Sequence, residues 1–249
     1  MIKPVFAANW KMNHGPSDAR AFMRTFLMYY TRQQDRTVVF FPPSIALAAV
    51  AEGIRERSDL LLGVQNIHWE DKGAFTGETS AGMARDSDAR MVLVGHSERR
   101  HVFGETDEET KKKCASAVRA GLIPMLCVGE MLDERERGET ESVVLRQLHA
   151  GIDDLEPQQI AAMAIAYEPV WAIGTGKTAT PADATVVHRA IRAALVADIG
   201  DRAVSIPILY GGSVNRGNAA ALLAAEGVDG LLVGGGIARR GGVGRYSVE

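Results

Sequence analysis

A buried carboxylate next to a strand end could act as a general base in this chain. Glu168 closes the apolar run MAIAY, so its carboxylate emerges beside apolar walls. Desolvation there raises the pKa of a carboxyl group and makes it a stronger base. Taken alone, Glu168 is equally consistent with a rim carboxylate paired with a lysine, because structural ion pairs also place carboxylates at strand ends.

His96 and Lys11 could stabilise negative charge that develops on a substrate oxygen. His96 follows the run MVLVG and precedes Ser97 and Glu98, a polar helix start. Near a helix N-terminus the dipole favours the neutral imidazole, which can donate a hydrogen bond to an oxyanion. Lys11 would add a fixed positive charge. Each alone has a structural alternative: a core or capping histidine, and a surface lysine.

Two glycine-rich segments, residues 211–213 and 234–235, could bring backbone N–H groups close to an anion. Two tight turns are the alternative. Ser213 lacks a Gly-x-Ser-x-Gly elbow, so a nucleophilic serine is not predicted. The chain has no His-Glu-x-x-His motif and no Cys/His ligand spacing, so no metal is predicted and Lys11 and His96 would carry the charge stabilisation.

The elements that must position these residues recur along the chain. Short, nearly continuous apolar runs lie about 30 residues apart and predict strands of a parallel sheet that is buried on both faces. Helix-like stretches begin at Ser17, Glu105 and Thr180, and the lysines at 111–113 predict a solvated helix face. The apolar runs are PVFAANW, VVFF, LLLGVQ, MVLVG, LIPMLCV, MAIAYE, SIPILY and DGLLVG.

Eight strand-then-helix units in 249 residues predict an α/β fold, a single-domain (β/α)8 barrel over residues 1–249. A doubly wound open sheet is the alternative, although it more often has fewer strands. In a barrel, functional residues lie at the C-terminal ends of the strands, and phosphate is often held after strands seven and eight. The site would then combine a base, a neutral electrophile, a cation and a phosphate anchor. This combination predicts proton abstraction next to a carbonyl in a small phosphorylated substrate.

That chemistry is an aldose–ketose isomerisation through an enediolate, which requires no cofactor. A barrel that binds sugar phosphates without turnover remains the alternative. The formal net charge of −3 argues against nucleic acid and anionic membranes as partners. The two cysteines form no disulfide framework and no apolar stretch is long enough to span a bilayer, so we expect a cytoplasmic protein.

The segment YEPVWAIGTGKT at 167–178 ends like a nucleotide-binding P-loop, which would favour a kinase or an NTPase. A P-loop ending at Thr178 requires glycine at position 171, which is Trp171. The P-loop interpretation is therefore not supported; Pro169 stiffens the chain after Glu168, and Gly174 and Gly176 leave its far side free to move.

The motifs ANWKMN, GAFTGE, VGHSERR, AYEPVWAIGTGK and YGGSV resemble those of the triosephosphate isomerase family, in order and with matching spacing over residues 1 to about 235. The resemblance implies interconversion of dihydroxyacetone phosphate and D-glyceraldehyde 3-phosphate in glycolysis and gluconeogenesis. It makes Glu168 the base that moves a proton between C1 and C2, with His96 polarising the carbonyl and Lys11 stabilising the charge. It also assigns substrate contacts to Asn9, Lys11, Gly174, Ser213, Gly234 and Gly235, and a supporting role to Glu98.

The resemblance also implies a homodimer. In the family the GAFTGE loop, residues 73–78 here, inserts into the neighbouring subunit. Thr76 would then approach the region of Asn9 and His96 in the other subunit.

The C-terminal tail, residues 236–249, departs from the family pattern. It reads GIARRGGVGRYSVE in place of an amphipathic closing helix and has no apolar helical stripe. A glycine inside a helix costs about 1 kcal/mol relative to alanine. The sequence therefore does not predict an ordinary closing helix here, and a compensated frameshift and a natural tail both remain open.

Overall fold

A computed structural model describes residues 2–173 and 178–234 of the chain. Eight parallel strands form a closed barrel in which each strand pairs with the next along the chain. The strands are β1 (Val5–Asn9), β2 (Thr37–Phe41), β3 (Leu60–Val64), β4 (Met91–Val94), β5 (Ile123–Val128), β6 (Ala164–Tyr167), β7 (Ile208–Tyr210) and β8 (Gly230–Val233).

Helices connect consecutive strands on the outside of the barrel. They are α1 (Pro16–Tyr29), α2 (Leu47–Ile54), α3 (Ala81–Asp86), α4 (Ser97–Phe103), α5 (Asp107–Arg119), α6 (Leu132–Glu136), α7 (Thr140–Ile152), α8 (Pro157–Ile160), α9 (Pro181–Ile199) and α10 (Ala219–Leu223). Short 3-10 turns lie at Ser44–Ala46, Val170–Ala172 and Gly200–Ser205.

The barrel closes where β8 pairs with β1, with Val5 opposite Gly230. A Cβ on residue 230 would lie 2.0 Å from the carbonyl oxygen of Val5, so only glycine allows the two strands to approach this closely. The predicted (β/α)8 barrel is confirmed, and the open doubly wound sheet is wrong. Each of the eight apolar runs coincides with one strand, although β2 begins one residue before its run. The tail at 236–249 lies outside the described residues.

Two apolar clusters explain why the strands lack polar alternation. One fills the barrel interior with alternate strand residues, and the other lies between the sheet and the helices. Both cysteines are free and buried, Cys127 in the inner cluster and Cys114 in the outer one. Burial raises the pKa of the Cys114 thiol to about 12, as expected for a small core residue.

Two predicted helix starts carry capping side chains. The Thr180 hydroxyl accepts the Asp183 N–H at the start of α9, and Thr106 accepts the Glu109 N–H at the start of α5. The predicted solvated lysine face of α5 is wrong at Lys113, whose ammonium is buried and lies 2.7 Å from Glu105. No helix among residues 2–173 and 178–234 is both long and apolar enough to cross a membrane.

His188 is a fully buried titratable residue of α9. Its Nδ1 lies 2.9 Å from the Gly227 carbonyl oxygen and its ring stands edge-on to Tyr167. Burial lowers the pKa of His188 to about 4, against the opposing hydrogen bond to Gly227. The ring is therefore neutral in the folded protein over the whole physiological range.

We expect His188 to make folding acid-sensitive. The unfolded chain takes up a proton at His188 below pH 6.5, whereas the folded chain does so only near pH 4. The unfolded state binds more protons in this window, so the free energy of unfolding falls as the pH falls, by about 2 kcal/mol between pH 7 and pH 5. Urea unfolding of wild type and His188→Asn, at pH 7 and pH 5 and at equal protein concentration, measures this change in the free energy of unfolding. Asparagine is chosen because its amide can still donate to the Gly227 carbonyl oxygen. If the free energy of unfolding fell equally in both proteins between pH 7 and pH 5, His188 would not be the cause of the acid sensitivity.

Candidate active site

All eight strands are parallel, so their C-terminal ends form one rim of the barrel. Asn9 ends β1, His96 follows β4, Glu168 follows β6, and Gly234 follows β8. The structure therefore brings the predicted base, the predicted electrophile and the predicted anion-binding glycine to the same end of the barrel, as the sequence indicated.

Glu168 lies buried at the centre of this rim, with 2% of its surface exposed. Its Oε1 lies 3.1 Å from His96 Nε2. Its Oε2 accepts the backbone N–H of Ser97 at 2.9 Å, and the Ser97 hydroxyl donates to Oε1 at 3.3 Å. Both carboxylate oxygens thus have partners on the segment that follows β4.

These partners reverse the predicted pKa shift of Glu168. Burial raises the pKa, as the sequence indicated, but the charge and hydrogen bond of His96, the Ser97 N–H and the charge of Lys11 together outweigh it. The pKa of Glu168 is lowered, and the prediction of a raised value is wrong for this arrangement. Hydrogen bonds to a carboxylate favour its ionised form, and these come from Ser97, 71 positions away in the chain, and from His96 before it.

The His96 ring lies at the N-terminus of α4, as predicted, and His96 is the N-cap residue, which is the capping role that the sequence left as its structural alternative. Its Nδ1 accepts the Glu98 N–H at 3.2 Å, which places the ring proton on Nε2, towards Glu168. The Asn9 amide nitrogen lies 3.2 Å from the same Nε2. Burial lowers the pKa of His96, but the nearby charge of Glu168 outweighs it and raises the pKa overall. A second proton at Nδ1 would displace the helix N–H, so this hydrogen bond opposes the charged ring that Glu168 favours.

Lys11 is held in a left-handed backbone conformation, with φ of 50°. Its N–H donates to the Asn9 side chain at 2.9 Å, and its carbonyl oxygen accepts from Gln65 at 2.9 Å. Its ammonium lies 2.7 Å from Glu98 Oε1, so the structure pairs Glu98 with this lysine. These bonds to neighbouring loops offset the strain that a non-glycine residue incurs at positive φ.

The predicted phosphate-binding residues lie partly within the described part of the chain. Ser213 follows β7, and its hydroxyl donates to the Ala172 carbonyl oxygen at 2.6 Å. A Cβ on residue 234 would lie 3.0 Å from Lys11 Cε, so the end of β8 lies against the lysine. Gly174 and Gly235 lie outside the described residues.

Three residues beside the site have a structural role that the sequence did not predict. Ser97 holds the carboxylate, Gln65 holds Lys11, and Gly129 makes room for the base. A Cβ on residue 129 would lie 1.7 Å from the Glu168 carbonyl oxygen, so only glycine fits there. The glycine directly after the fifth apolar run was the one available signal.

Thr76 does not lie in this site. Residues 73–78 form an exposed loop after β3. Within the described part of the chain, Thr76 makes no backbone hydrogen bond to Glu168, His96 or Lys11 of the same subunit. Among residues 2–173 and 178–234, no group of three or more His, Cys, Asp or Glu side chains is arranged to hold a metal ion.

Comparison with known proteins gives the same result at each level. The family model described as triosephosphate isomerase matches residues 4–241. The chain is 48% identical to the triosephosphate isomerase of Moorella thermoacetica over 235 residues and 46% identical to that of Solibacter usitatus over 236, covering 94% of each chain. The crystal structure of triosephosphate isomerase from Bartonella henselae superimposes with a TM-score of 0.84 at 36% identity, covering 94% of this chain and 93% of the other. The chain belongs to the triosephosphate isomerase family.

Proposed function

We propose that Glu168 is the general base with which this family member interconverts dihydroxyacetone phosphate and D-glyceraldehyde 3-phosphate. The observation that carries this role is a buried carboxylate kept ionised 3.1 Å from an imidazole nitrogen at the barrel rim. Glu168 takes a proton from the carbon next to the carbonyl, the C–H electron pair forms the enediolate, and the same carboxyl returns the proton to the neighbouring carbon.

His96 and Lys11 stabilise the enediolate. The Nε2–H of His96, which lies 3.1 Å from Glu168 Oε1, donates to the oxygen that gains charge, and the ring then passes protons between the two substrate oxygens. The Lys11 ammonium supplies a positive charge, with Glu98 fixing its position. The Asn9 amide, within 3.2 Å of His96 Nε2, orients the substrate oxygens.

The resting contacts of Glu168 also explain how its basicity rises when it reacts. While Ser97 and His96 hold the carboxylate, its pKa is lowered. To reach a carbon, the carboxylate must exchange those donors for the substrate, and its burial then acts to raise the pKa. The base is therefore stored in its ionised form and becomes stronger when it engages the substrate.

The substrate phosphate binds beside Lys11, at the ends of β7 and β8. Ser213 and Gly234 supply backbone N–H groups there in our proposal, together with Gly174 and Gly235. The contact between residue 234 and the Lys11 side chain places a positive charge next to this anion site. A barrel that only bound sugar phosphates would have no use for a base, and no observation favours that alternative.

Substitution of Glu168 tests the role of the base. Glu168→Gln removes the proton acceptor at nearly constant shape, and we expect kcat to fall by about 10³-fold or more. Glu168→Asp withdraws the carboxylate by one methylene, and a misplacement of about 1 Å costs on the order of 10²-fold. A coupled assay with glyceraldehyde 3-phosphate measures both. Equal activity of all three proteins would refute the proposal.

We also propose that the chain forms a homodimer through residues 73–78 and acts in the cytoplasm. The support for a dimer is that large apolar side chains are exposed in the segments after the first four strands. They are Met12, Ile45, Phe75, Met83, Val102 and Phe103. Exposed apolar side chains in these segments favour a protein–protein interface on this part of the chain. The two buried free thiols are consistent with a reducing compartment.

A charge at the loop tip tests the dimer. We expect wild type to have twice the mass of the chain in size-exclusion chromatography with light scattering. Thr76→Arg places a cation in the interface, so we expect a monomer with activity lowered about tenfold or more, because charged groups buried without partners are costly. Ser142→Arg, on the exposed face of α7, is the matched control and should remain dimeric. A monomeric wild type with full activity would contradict the proposal.

A further inference from the structure

A second buried carboxylate, Glu130, lies close to the site and has no role in the mechanism above. It follows β5 and Gly129 and has none of its surface exposed. Its Oε1 accepts the indole N–H of Trp171 at 2.8 Å. The Tyr167 hydroxyl lies 3.2 Å from Oε1 and 3.1 Å from Oε2. Buried carboxylates are tolerated when such partners offset their desolvation.

These contacts hold the chain on both sides of the proposed base. Tyr167 directly precedes Glu168, and Trp171 lies three residues after it. The carbonyl oxygen of Glu130 also accepts the N–H of Val170 at 3.1 Å. One residue thus fixes the main chain and two side chains around Glu168.

Arg135 of α6 joins this cluster to the rest of the fold. Its Nη1 lies 3.7 Å from Glu130 Oε1 and its guanidinium carbon lies 4.3 Å from the centre of the Trp171 ring. Its Nη2 donates to Asp183 at 2.7 Å, in the first turn of α9. A planar guanidinium can stack on an indole and bridge two carboxylates at once, which an ammonium cannot do.

The charges that face Glu130 come from several elements. Burial raises the pKa of Glu130 overall, while its own backbone N–H, Trp171, Tyr167 and the charge of Arg135 partly oppose that rise. Tyr167 and Tyr210 stay uncharged because burial raises the pKa of each phenol, that of Tyr210 to about 12.

Two further groups complete this environment. His188, edge-on to Tyr167, is neutral above about pH 4. Asp183 on α9 is itself paired with Arg135. Within the described part of the chain, Arg135 is therefore the cation that acts on Glu130.

We propose that Arg135 is a positioning residue of the isomerase reaction: its guanidinium keeps Glu130 ionised and thereby fixes the two side-chain hydrogen bonds that flank Glu168. The inference rests on the proposed role of Glu168 as the base. A protonated Glu130 has a hydroxyl on one oxygen, so it can no longer accept freely from both Tyr167 and Trp171. The chain around Glu168 then loses part of its support.

Loss of the cation should therefore introduce a pH dependence. An opposite charge at this distance shifts a carboxyl pKa by about one to three units. Arg135→Met keeps an apolar side chain against Trp171 but removes the charge. We expect kcat of this variant, relative to wild type, to be about tenfold lower at pH 6 than at pH 9, with KM changed by less than about twofold, because each pKa unit is a tenfold change in the ratio of the two forms.

Three further variants separate positioning from general damage. Arg135→Lys retains the charge, so its pH profile should stay within about threefold of wild type. Arg137→Met removes an exposed arginine just after α6, paired with Asp133 and Glu139, and should show no pH-dependent defect. In Glu130→Gln, residue 130 can no longer titrate. Adding Arg135→Met to this variant should therefore introduce no pH dependence of kcat.

A signal from Trp171 tests the inference independently of activity. In 1H–15N spectra, the indole N–H of Trp171 should titrate at a higher pH in Arg135→Met than in wild type. A constant ratio of variant to wild-type kcat across the pH range, or an indole signal that titrates at no higher pH in Arg135→Met than in wild type, would overturn the proposal. Full activity of Glu168→Gln would instead refute the proposed function and leave the indole result unaffected.

Discussion

The buried contact of Glu168 with His96 and Ser97 is the interaction on which the rest of the site depends. A carboxylate with 2% exposure loses nearly all its hydration, so donors must replace the water. The Ser97 N–H and the His96 ring supply them at 2.9 and 3.1 Å. Because both come from the segment after β4, the buried carboxylate has these donors only when the ends of β4 and β6 are held in register through β5.

Barrel closure supplies that register. Parallel pairing carries every strand end to one rim, and two glycines remove the side chains that would obstruct it. Gly230 lets β8 approach β1, and Gly129 lets the end of β5 pass the carbonyl of Glu168. The same arrangement brings Glu130 within hydrogen-bond distance of Tyr167 and Trp171, which lie before and after the base in the chain. The ends of β4, β5 and β6 thus all take part in positioning Glu168.

The fold was predictable because its signals are local. Apolar runs without alternation identified the eight parallel strands, and the polar start at Thr180 predicted the helix that begins at Pro181. The placement of Asn9, Lys11, His96 and Glu168 at one rim then followed from the barrel alone.

Contacts between distant residues were not predictable in this way. The donors that lower the pKa of Glu168 come from Ser97 and His96, and the lysine predicted to face solvent, Lys113, is buried against Glu105. The stacking of Arg135 on Trp171 joins residues on different strand-to-helix connections. Such contacts depend on side-chain direction and on the packing of neighbouring loops, which periodicity does not encode.

The protonation state of Glu168 in the free protein is the central claim. A 13C NMR titration of its carboxyl carbon, identified by comparison with Glu168→Gln, measures it directly. The contacts with Ser97 and His96 predict a carboxylate that stays ionised down to and below the ordinary pKa of 4.5. A carboxyl group still protonated at pH 6 would show that burial dominates, and would contradict the account.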